Sequence, residues 1–430
     1  MHMKLFMLFM SLFLVGMNPI LSATTSYYVS TTGNDGNPGT MPLPWRTIQH
    51  AANVAIPGST VNIRAGTYNE KVIINVAGNA TSGYIVFQNY GTESVLVSGL
   101  GLPPNYAIDG SDNMFFSNNN SYLKIIGLEI SNLNVSDGSG IRFYGSGNNI
   151  EIRNNNIHDI TGGGPTGGAM GITIYGSNNI YSINNIIIDG NQVHNCQPAS
   201  SEALTLQGNV TQFQVTNNIV HDVNNIGIDF NGEAWLSTRV ANHGLCSSNT
   251  VYNVNSADGY AGGIYIDGGQ YITVQNNEVY QCDLGIEVGA ETFGRNAVFN
   301  NVINNYIHDN DKAGLVFGGY DSTVGRVNNC TFTGNTLTNN DSLLTGLGEL
   351  WIQYGSNNVI QHNFFHPNSQ NIVIYSQLGN VGDTCNYDNF CSFDGNPNDL
   401  IFVWKNVQYN GLSAFQTGTS QELNATTTCP

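Results

Sequence analysis

The chain has 430 residues, only 10% of them charged, and a formal net charge of −18 at pH 7. This acidic balance argues against nucleic acid and anionic membranes as partners. The hydrophobic share of 40% is enough for a long core, and 50 glycines suit short strands that are joined by tight turns.

The N-terminus has the pattern of a secretory signal peptide. Lys4 precedes an apolar run over residues 5–15, and small residues follow near Ala23. The run is shorter than the roughly 20 residues that a transmembrane helix needs. We therefore predict a signal peptide over residues 1–23 and a secreted, extracellular protein with no membrane span. The mature chain 24–430 is predicted to form a single domain.

Seven Asn-x-Ser/Thr sequons follow the predicted cleavage site. They lie at Asn79, Asn119, Asn134, Asn209, Asn329, Asn340 and Asn424. They agree with a secreted glycoprotein, although sequons also arise by chance in a chain rich in Asn and Thr.

The next feature is a short amphipathic segment over residues 47–55. Ile48, Ala51 and Ala52 occur in it at helical spacing, and Thr47 is a suitable N-cap. We predict a helix here that covers one apolar end of the fold.

A repeat dominates the rest of the chain: an Asn is followed three residues later by His, Tyr or Thr, at intervals of 27 to 36 residues. The eight asparagines are Asn155, Asn191, Asn218, Asn249, Asn277, Asn305, Asn335 and Asn363. A period in this range predicts a solenoid. Because the Asn keeps one phase, its side chains should stack about 4.8 Å apart as an asparagine ladder. The repeat therefore predicts a parallel β-helix of about nine to eleven coils.

Each repeat contains short segments with apolar residues at alternate positions. One lies just before the Asn, as in Ile150 and Ile152, and another reads roughly Gly-Ile-x-Phe, as in Ile228 and Phe230. Period-two alternation over so few residues indicates strands. Stacked coils would bury these side chains in one core that no single coil could form.

The C-terminal part departs from the repeat. After Gln377 the pattern is lost, and we expect an irregular segment from about residue 379 that covers the second end. Cys385 and Cys391 flank a short turn there and are the best candidates for a disulfide among seven cysteines. Four other cysteines fall at inward phases and are interpreted as core thiols. They are Cys196, Cys246, Cys282 and Cys330.

Five histidines occupy the position three residues after a ladder Asn. They are His158, His194, His221, His308 and His366. Tyr252, Tyr280 and Thr338 occupy the same phase in other coils, and histidines on separate coils cannot converge on one metal. We therefore interpret this phase as a structural column on the solvent side.

Several N-terminal stretches resemble the signature of secreted right-handed β-helix proteins of the pectate lyase-like superfamily. They are Tyr27-Tyr28-Val29-Ser30, Gly33-Asn34-Asp35, Asn37-Pro38-Gly39-Thr40, Thr47-Ile48-Gln49, Pro57-Gly58 and Ala65-Gly66-Thr67-Tyr68. The resemblance covers the chain from about Tyr27 to its end. It implies an all-β, single-stranded right-handed parallel β-helix in which the Asn ladder lies in the turn between the second and third strands of each coil.

The resemblance also implies where a site would lie. The Gly-Ile-x-Phe strand becomes the first strand of the coil, whose outward face carries the active groove in enzymes of the superfamily. Because the fold hosts lyases, glycosidases, epimerases and non-enzymatic adhesins, it does not choose the reaction. The Gly-His-Gly and Arg-Ile-Lys stretches of polygalacturonases and the Trp-Ile-Asp-His stretch of pectate lyases are absent from this sequence.

Acidic residues concentrate on the middle coils of that outward face. Asp229, Asp267 and Glu287 should lie roughly 8 to 10 Å apart at Cα. They are the predicted catalytic residues and, as hard oxygen donors, the predicted ligands of a calcium ion. Further predicted catalytic residues lie in loops or insertions beside these strands. They are Lys312, Arg239 and His243.

Aromatic residues flank the acidic cluster and are predicted to bind substrate, because they can stack on sugar rings. They are Tyr144, Tyr175, Tyr265 and Trp235, and Arg295 is added as a basic substrate-binding residue.

Three functions remain open on these residues. The reading we favour is a polysaccharide lyase, in which calcium neutralises a uronate carboxylate and a Lys or Arg removes the C5 proton. The first alternative is a glycoside hydrolase that uses two of the carboxylates. The second is a non-catalytic glycan-binding or structural β-helix protein. In each case we expect a monomer whose partner is a polysaccharide, with calcium as the one cofactor considered.

Overall fold

The computed structural model describes residues 25–162 and 167–429. Within them the chain winds through three sheets whose strands pair in parallel, except for the antiparallel last pair of sheet 1. Each coil contributes a strand to sheet 1, then to sheet 2, then to sheet 3. The predicted signal peptide over residues 1–23 lies outside the described residues. None of the helices in the described ranges is long and apolar enough to cross a membrane.

Sheet 1 has 13 described strands. They are β4 (Val72–Ile74), β7 (Phe115–Asn118), β10 (Asp137–Tyr144), β13 (Gly168–Gly176), β16 (Glu202–Gly208), β19 (Ile226–Asn231), β22 (Gly262–Asp267), β25 (Leu284–Gly289), β29 (Ala313–Phe317), β33 (Leu350–Ile352), β37 (Ile372–Ser376), β40 (Ile401–Trp404) and β41 (Val407–Asn410).

Sheet 2 has 16 described strands, because it is interrupted in three coils. They are β1 (Ser26–Val29), β2 (Thr60–Ile63), β5 (Ile85–Asn89), β8 (Leu123–Ile126), β11 (Gly147–Arg153), β14 (Ile183–Asp189), β17 (Val210–Thr216), β20 (Asn242–Ser247), β23 (Gln270–Gln275), β26 (Asn296–Val298), β27 (Asn301–Ile303), β30 (Arg326–Asn328), β31 (Thr331–Thr333), β34 (Gly355–Ser356), β35 (Val359–Gln361) and β38 (Thr384–Asn386).

Sheet 3 has 12 described strands. They are β3 (Gly66–Tyr68), β6 (Val95–Ser98), β9 (Glu129–Asn134), β12 (Asn156–Thr161), β15 (Gln192–Cys196), β18 (Ile219–Val223), β21 (Thr250–Val254), β24 (Glu278–Tyr280), β28 (Tyr306–His308), β32 (Thr336–Thr338), β36 (Phe364–His366) and β39 (Asn389–Phe390).

The predicted all-β parallel β-helix is confirmed, with about twelve coils rather than nine to eleven. The coils before Asn155 and after Asn363 lack the ladder Asn, so the repeat gives no exact number for them. Inward side chains form one continuous core that extends from Val29 to Phe415. Aromatic rings of neighbouring coils stack inside it, with the Phe365 and Phe390 ring centroids 5.2 Å apart.

The asparagine ladder is present along all eight predicted positions. Each Asn donates its side-chain amide to the side-chain oxygen of the next Asn at 2.9–3.0 Å. The last member, Asn363, donates instead to Asp388 at 3.0 Å. Two shorter ladders also end on a carboxylate: Asn340 donates to Glu349, and Asn358 donates to Asp383. The side-chain amides of the ladder turns are thereby paired inside the core.

The N-terminal cap has the predicted form. Helix α1 (Ile48–Val54) buries Ile48, Ala51 and Ala52, and the Thr47 side chain accepts a hydrogen bond from the His50 N–H at 3.1 Å. The second end differs from expectation, because the segment after residue 379 contains β38 to β41 and helix α2 (Leu412–Thr419). Its repeat was hidden because an aspartate, Asp388, stands where earlier coils have Asn.

The four cysteines predicted to be core thiols are buried, and so is Cys385, which was predicted to form a disulfide. Cys196, Cys246, Cys282 and Cys330 are buried thiols. The predicted Cys385–Cys391 disulfide is wrong: Cys391 is bonded to Cys429, with Cα atoms 4.9 Å apart. Cys385 cannot reach a partner at the surface because its register partner is Ile360, a core residue, and its own side chain is buried.

The histidine column lies on the outward face of sheet 3. Its members are in register from His158 to His366. Ring centroids are 4.8–5.0 Å apart from His158 through Tyr280 to His308. The column is therefore a stack along the solenoid, as predicted.

Burial separates the seven sequons into two groups. Asn209 and Asn340 are buried, and Asn340 belongs to a ladder, so neither side chain is open to modification in the folded chain. The other five are exposed. They are Asn79, Asn119, Asn134, Asn329 and Asn424.

Candidate functional site

The outward residues of sheet 1 stack in one column, as the sequence predicts. In order along the solenoid they are Arg142, Thr173, Thr205, Asp229, Tyr265, Glu287, Val316 and Trp351. Asp267 lies two residues beyond Tyr265 on the same strand and is in register with Gly289. It is therefore one coil and two residues from Asp229 and from Glu287, which corresponds to about 8 Å between Cα atoms.

A groove of about 1090 Å³ opens over these coils, and we call it the acidic groove. Its floor is formed by sheet 1 and its walls by the loops that precede and follow the strands. Six carboxyl groups line it: Glu202, Glu233, Asp258, Asp267, Glu287 and Glu291. Four aromatic rings line it as well: Tyr260, Tyr265, Tyr320 and Trp351. Among its described lining residues there is no Lys or Arg.

Asp267 lies at the centre of the acidic groove. One of its carboxylate oxygens accepts the Glu291 N–H at 2.8 Å, and the other accepts the Asn231 amide at 3.4 Å. Burial raises the pKa of Asp267 to about 7, and the negative charges of Glu291 and Glu233 contribute to the rise. The hydrogen bond from the Glu291 N–H opposes the shift, because it stabilises the charged form.

Two neighbouring acids are held protonated more strongly. Burial raises the pKa of Glu287 well above its usual range, and the charges of Glu291 and Asp267 add to the effect. Burial also raises the pKa of Glu202 to about 8, with further contributions from Glu233 and Asp267. Near neutral pH the groove therefore contains carboxyl groups that can donate a proton, and Asp267 changes its charge near this pH.

Asp229 lies under the floor of the groove. It is 0% exposed, and among the described residues neither of its carboxylate oxygens has a hydrogen-bond partner within 3.5 Å. The nearby Asn231 side chain only weakly opposes the rise in its pKa. Burial raises its pKa well above the usual range, and the charges of Glu202 and Asp267 raise it further. Asp229 is thus a neutral, buried neighbour of the groove rather than a group in its lining.

The predicted basic residues occupy the margins. The Lys312 ammonium lies 3.2 Å from the centroid of the Tyr260 ring and donates to the Asp258 carbonyl at 3.3 Å. Arg295 donates to the carbonyls of Ser237 and Thr238, so it fastens the loop between β19 and β20. These contacts engage both cations with the protein's own groups.

The remaining two predicted catalytic residues are not brought to the groove. Arg239 is exposed and donates to the Asn179 carbonyl at 3.4 Å. His243 lies on β20 in sheet 2, where its ring stacks on Tyr271 at 5.0 Å. The insertion expected to carry it beside the groove ends before it, because the strand begins at Asn242.

Three of the predicted aromatic residues line a second, smaller cavity of about 290 Å³ on sheet 1. Tyr175 is buried and meets Trp235 edge to face at 5.7 Å, and Tyr144 lies beside them. Trp235 is 65% exposed, and its indole N–H donates to Glu233 at 3.0 Å. It stands between this cavity and the acidic groove. Tyr265, the fourth, lines the acidic groove itself.

Several lining residues were not predicted. Glu202 shares the parity of the inward Leu204, so alternation places it in the core, yet it lines the groove. Ile226 and Leu284, which occupy the same corner in other coils, also face the groove. Alternation is therefore broken where the chain turns from sheet 3 into sheet 1. Asp258, Tyr260 and Tyr320 lie in loops of variable length, which no repeat period can position.

The predicted calcium site does not take the form of a ligand set in the described ranges. No group of three or more His, Cys, Asp or Glu side chains is placed there so that it could hold a metal ion. Asp229 is below the groove floor, whereas Asp267 and Glu287 face into it. Calcium binding stays a prediction.

Comparisons with known proteins agree with this architecture. A family model described as a right-handed beta helix region matches residues 243–416. The chain is 34% identical over 411 residues to the uncharacterized protein YwoF of Bacillus subtilis (strain 168). This match covers 92% of this chain and 86% of YwoF. A shorter segment of 78 residues is 38% identical to pectate lyase PEL9 of Emericella nidulans and spans 18% of this chain and 19% of that protein.

A similar solved structure is the GH136 lacto-N-biosidase of Eubacterium ramulus. It superposes with a TM-score of 0.56 at 15% identity over 86% of this chain. This chain spans 64% of the lacto-N-biosidase chain, which is less than two thirds. At this identity the likeness establishes a common fold and leaves the reaction open.

Proposed function

We propose that this chain, which belongs to the family of YwoF of Bacillus subtilis and has a right-handed β-helix fold, is a glycoside hydrolase acting on an extracellular glycan. The observation that supports the proposal is a pair of carboxyl groups, Asp267 and Glu287, on adjacent coils of the acidic groove. Their environments differ, so that one of them can be ionised while the other keeps its proton.

The roles follow from those environments. Asp267 accepts two hydrogen bonds, which favour its carboxylate form, so it is the general base that deprotonates a water molecule. Glu287 has a pKa raised well above its usual range and keeps its proton, so it is the general acid that protonates the leaving glycosidic oxygen. Trp351 on the groove floor and Tyr260 in a wall loop line the groove with aromatic rings on which sugar units can stack.

The composition of the groove favours hydrolysis over β-elimination, the reaction that the sequence favoured. A lyase needs a cationic or metal centre for the uronate carboxylate and a base for the C5 proton. Lys312, a predicted catalytic residue, is engaged by Tyr260, and Arg295, a predicted substrate-binding residue, is engaged by loop carbonyls at the margin. Those of the six lining carboxyl groups that are ionised would also repel a polyuronate.

The spacing of the pair implies the stereochemistry. Parallel side chains on one face keep roughly the Cα separation, here about 8 Å. Inverting glycosidases hold their carboxyl groups roughly 6.5–9.5 Å apart to admit a water molecule, whereas retaining enzymes hold them about 5 Å apart. We therefore expect the product anomer to be inverted.

The experiment is a hydrolysis assay on neutral, uronate-containing and amino-sugar glycans, with Asp267→Asn and Glu287→Gln as variants. Each variant should lower kcat by about 100-fold or more, since removal of a general acid or base costs that order. Glu278→Gln, on the exposed face of sheet 3, removes the same charge away from the groove and should keep full activity. New reducing ends without ultraviolet absorbance are expected. Unsaturated products that vanish with a calcium chelator would establish a lyase instead, and binding without products would establish a non-catalytic protein.

A further inference from the structure

The acidic groove contains more carboxyl groups than hydrolysis uses. Besides Asp267 and Glu287 it is lined by Glu202, Glu233, Asp258 and Glu291. None of these six forms an ion pair with a Lys, Arg or His side chain in the described part of the chain, although Arg142, Arg153 and Lys71 do pair with acids elsewhere. Like charges held this close disfavour each other's ionisation.

A second observation comes from the floor. Asp229 is 0% exposed, points outward on the groove side of sheet 1 and has no hydrogen-bond partner on either oxygen among the described residues. The Thr205 hydroxyl, its neighbour in register, and the Gln207 amide nitrogen are also without partners there. A buried carboxyl group without a donor is costly, which keeps Asp229 protonated beneath the floor. On the adjacent coil Glu202 does line the groove and is itself only 8% exposed, so this buried carboxyl group is directed at the contents of the groove.

A third observation is that an ammonium group is already bound at the rim of the groove. At the rim the Lys312 ammonium lies on the Tyr260 ring, and the Trp351 ring is 6.5 Å from Tyr260. An ammonium group over an aromatic face is stabilised by the ring quadrupole, and nearby acids strengthen the attraction. The combination of aromatic rings and unpaired carboxyl groups continues into the groove from this point.

We propose that the acidic groove binds a cationic glycan, that is, an oligosaccharide of amino sugars whose amino groups are free rather than acetylated. The ammonium groups neutralise the unpaired acids, and the sugar rings stack on Tyr260 and Trp351. This inference rests on the proposed function, which takes the acidic groove as the site. The preference for a cationic ligand is argued separately from the charges of the groove. Binding should release protons, because carboxyl groups that were protonated in the free groove ionise beside the ammonium groups.

The experiment compares ligand pairs that differ only in acetylation. Glucosamine and galactosamine oligosaccharides and their N-acetylated counterparts are titrated into the full chain by calorimetry, at low and at physiological salt and in two buffers of different ionisation heat. We expect the free amines to bind about tenfold more tightly or better than the acetylated forms, with a preference that shrinks as salt rises. The heats should differ between buffers by an amount that reports proton release.

Variants of two rim acids test the cause. The double variant Glu233→Gln/Asp258→Asn should weaken amine binding by about tenfold and leave binding of the acetylated ligand unchanged. Glu278→Gln should change neither. Equal or tighter binding of the acetylated form, or no effect of the double variant, would overturn the proposal. Calcium that displaces the amine ligand at micromolar concentration would also overturn it, in favour of a metal site.

Products separate this proposal from the preceding one. Cleavage of acetylated or neutral glycans without a preference for free amines would support the hydrolase proposal and contradict the proposed preference for a cationic glycan. Tight amine binding without cleavage of any glycan removes the hydrolase and keeps the cationic ligand.

Discussion

Two neighbouring carboxyl groups of the groove, whose pKa values are both raised by burial, differ in the hydrogen bonds that they accept. Asp267 accepts the Glu291 N–H and the Asn231 amide, and its pKa is about 7. Glu287 faces the charges of Glu291 and Asp267, and its pKa is raised well above the usual range. A difference of one pKa unit corresponds to about 1.4 kcal/mol between protonation states, so these contacts are enough to separate an acid from a base.

The pH dependence of activity is predicted at this scale. The general base Asp267 acts only when it is ionised, so kcat/KM should fall as pH decreases below about 7, the pKa of that carboxyl group. The alkaline limb should lie higher, where Glu287 loses its proton. The measurement is kcat/KM on the cleaved glycan between pH 4 and 10. An acidic limb near the ordinary carboxyl range, about 4, would contradict the assignment of Asp267.

Among the elements, the ladder turns depend on the direction of each amide. Asn249 accepts from Asn218 and donates to Asn277 and to the Val215 carbonyl. A carboxylate can only accept, so an acid is tolerated at the end of a ladder and not in its middle. This explains why acids such as Asp388 and Asp383 occur where a ladder stops.

A pair of opposite substitutions tests this rule. Asn249→Asp would place a carboxylate against the Asn277 side-chain oxygen and the Val215 carbonyl, and should cost roughly 3 kcal/mol or more of unfolding free energy. Asp388→Asn keeps the acceptor for Asn363 and removes a negative charge beside Glu422, so it should be neutral or stabilising. Denaturant unfolding measures both. Equal costs for the two variants would contradict the directional account.

The C-terminal elements are held by a covalent link that also bears on location. The Cys391–Cys429 disulfide ties the end of the chain to the last coil, and five other cysteines are buried thiols. Disulfides of this kind form in oxidising compartments. We therefore propose that the chain is secreted, as the signal pattern over residues 1–23 predicts.

Protein recovered from the culture medium of an expressing host should show this arrangement. No thiol should react in the native state, five should react after unfolding without reductant, and all seven after reduction. The N-terminus should begin near Thr24. Seven reactive thiols in the unfolded, unreduced protein would contradict the disulfide, and an intact N-terminus would contradict cleavage.

At the level of the whole molecule, buried acids make stability depend on pH. Burial raises the pKa of Glu202 and of Glu349 to about 8 and that of Asp383 to about 6. These groups are protonated in the folded state at pH values where the unfolded chain has released its protons, above about 4. The folded state then binds more protons, so the free energy of unfolding falls as pH rises through this interval.

We expect the melting temperature to be highest near pH 5 and to fall steadily towards pH 9. Asp229→Asn should raise the melting temperature at pH 8.5, because it removes a buried acid whose ionisation opposes folding, and should change little near pH 4. Glu278→Gln, an exposed control, should leave the slope unchanged. Thermal unfolding measured between pH 4 and pH 9 tests these expected melting temperatures. A melting temperature that rises from pH 5 to pH 9 would contradict the burial of these acids in their protonated form.

Much of the fold could be predicted from the local periodicity of the sequence. The ladder asparagines, the outward column from Arg142 to Trp351 and the helix over Ile48–Val54 follow from spacing, because each coil repeats one hydrogen-bonding register. The same reasoning found Asp229, Asp267 and Glu287 on one face. It could not tell that Asp229 lies under the floor, since burial depends on the loops that fold over the strand.

The sequence by itself determined the solenoid, its inward core and the face on which acids gather. In a parallel β-helix, alternation decides which side chains point inward, and the repeat length decides which residues stack on one another. Only the tertiary structure decided the contents of the groove. Glu202, Asp258 and Tyr260 reach it from corners and loops, and His243 is carried to another sheet. The Cys391–Cys429 pair likewise depends on where the chain end returns. The physical reason is that loops of unequal length obey no period, so the contacts they make are set by how coils close over one another.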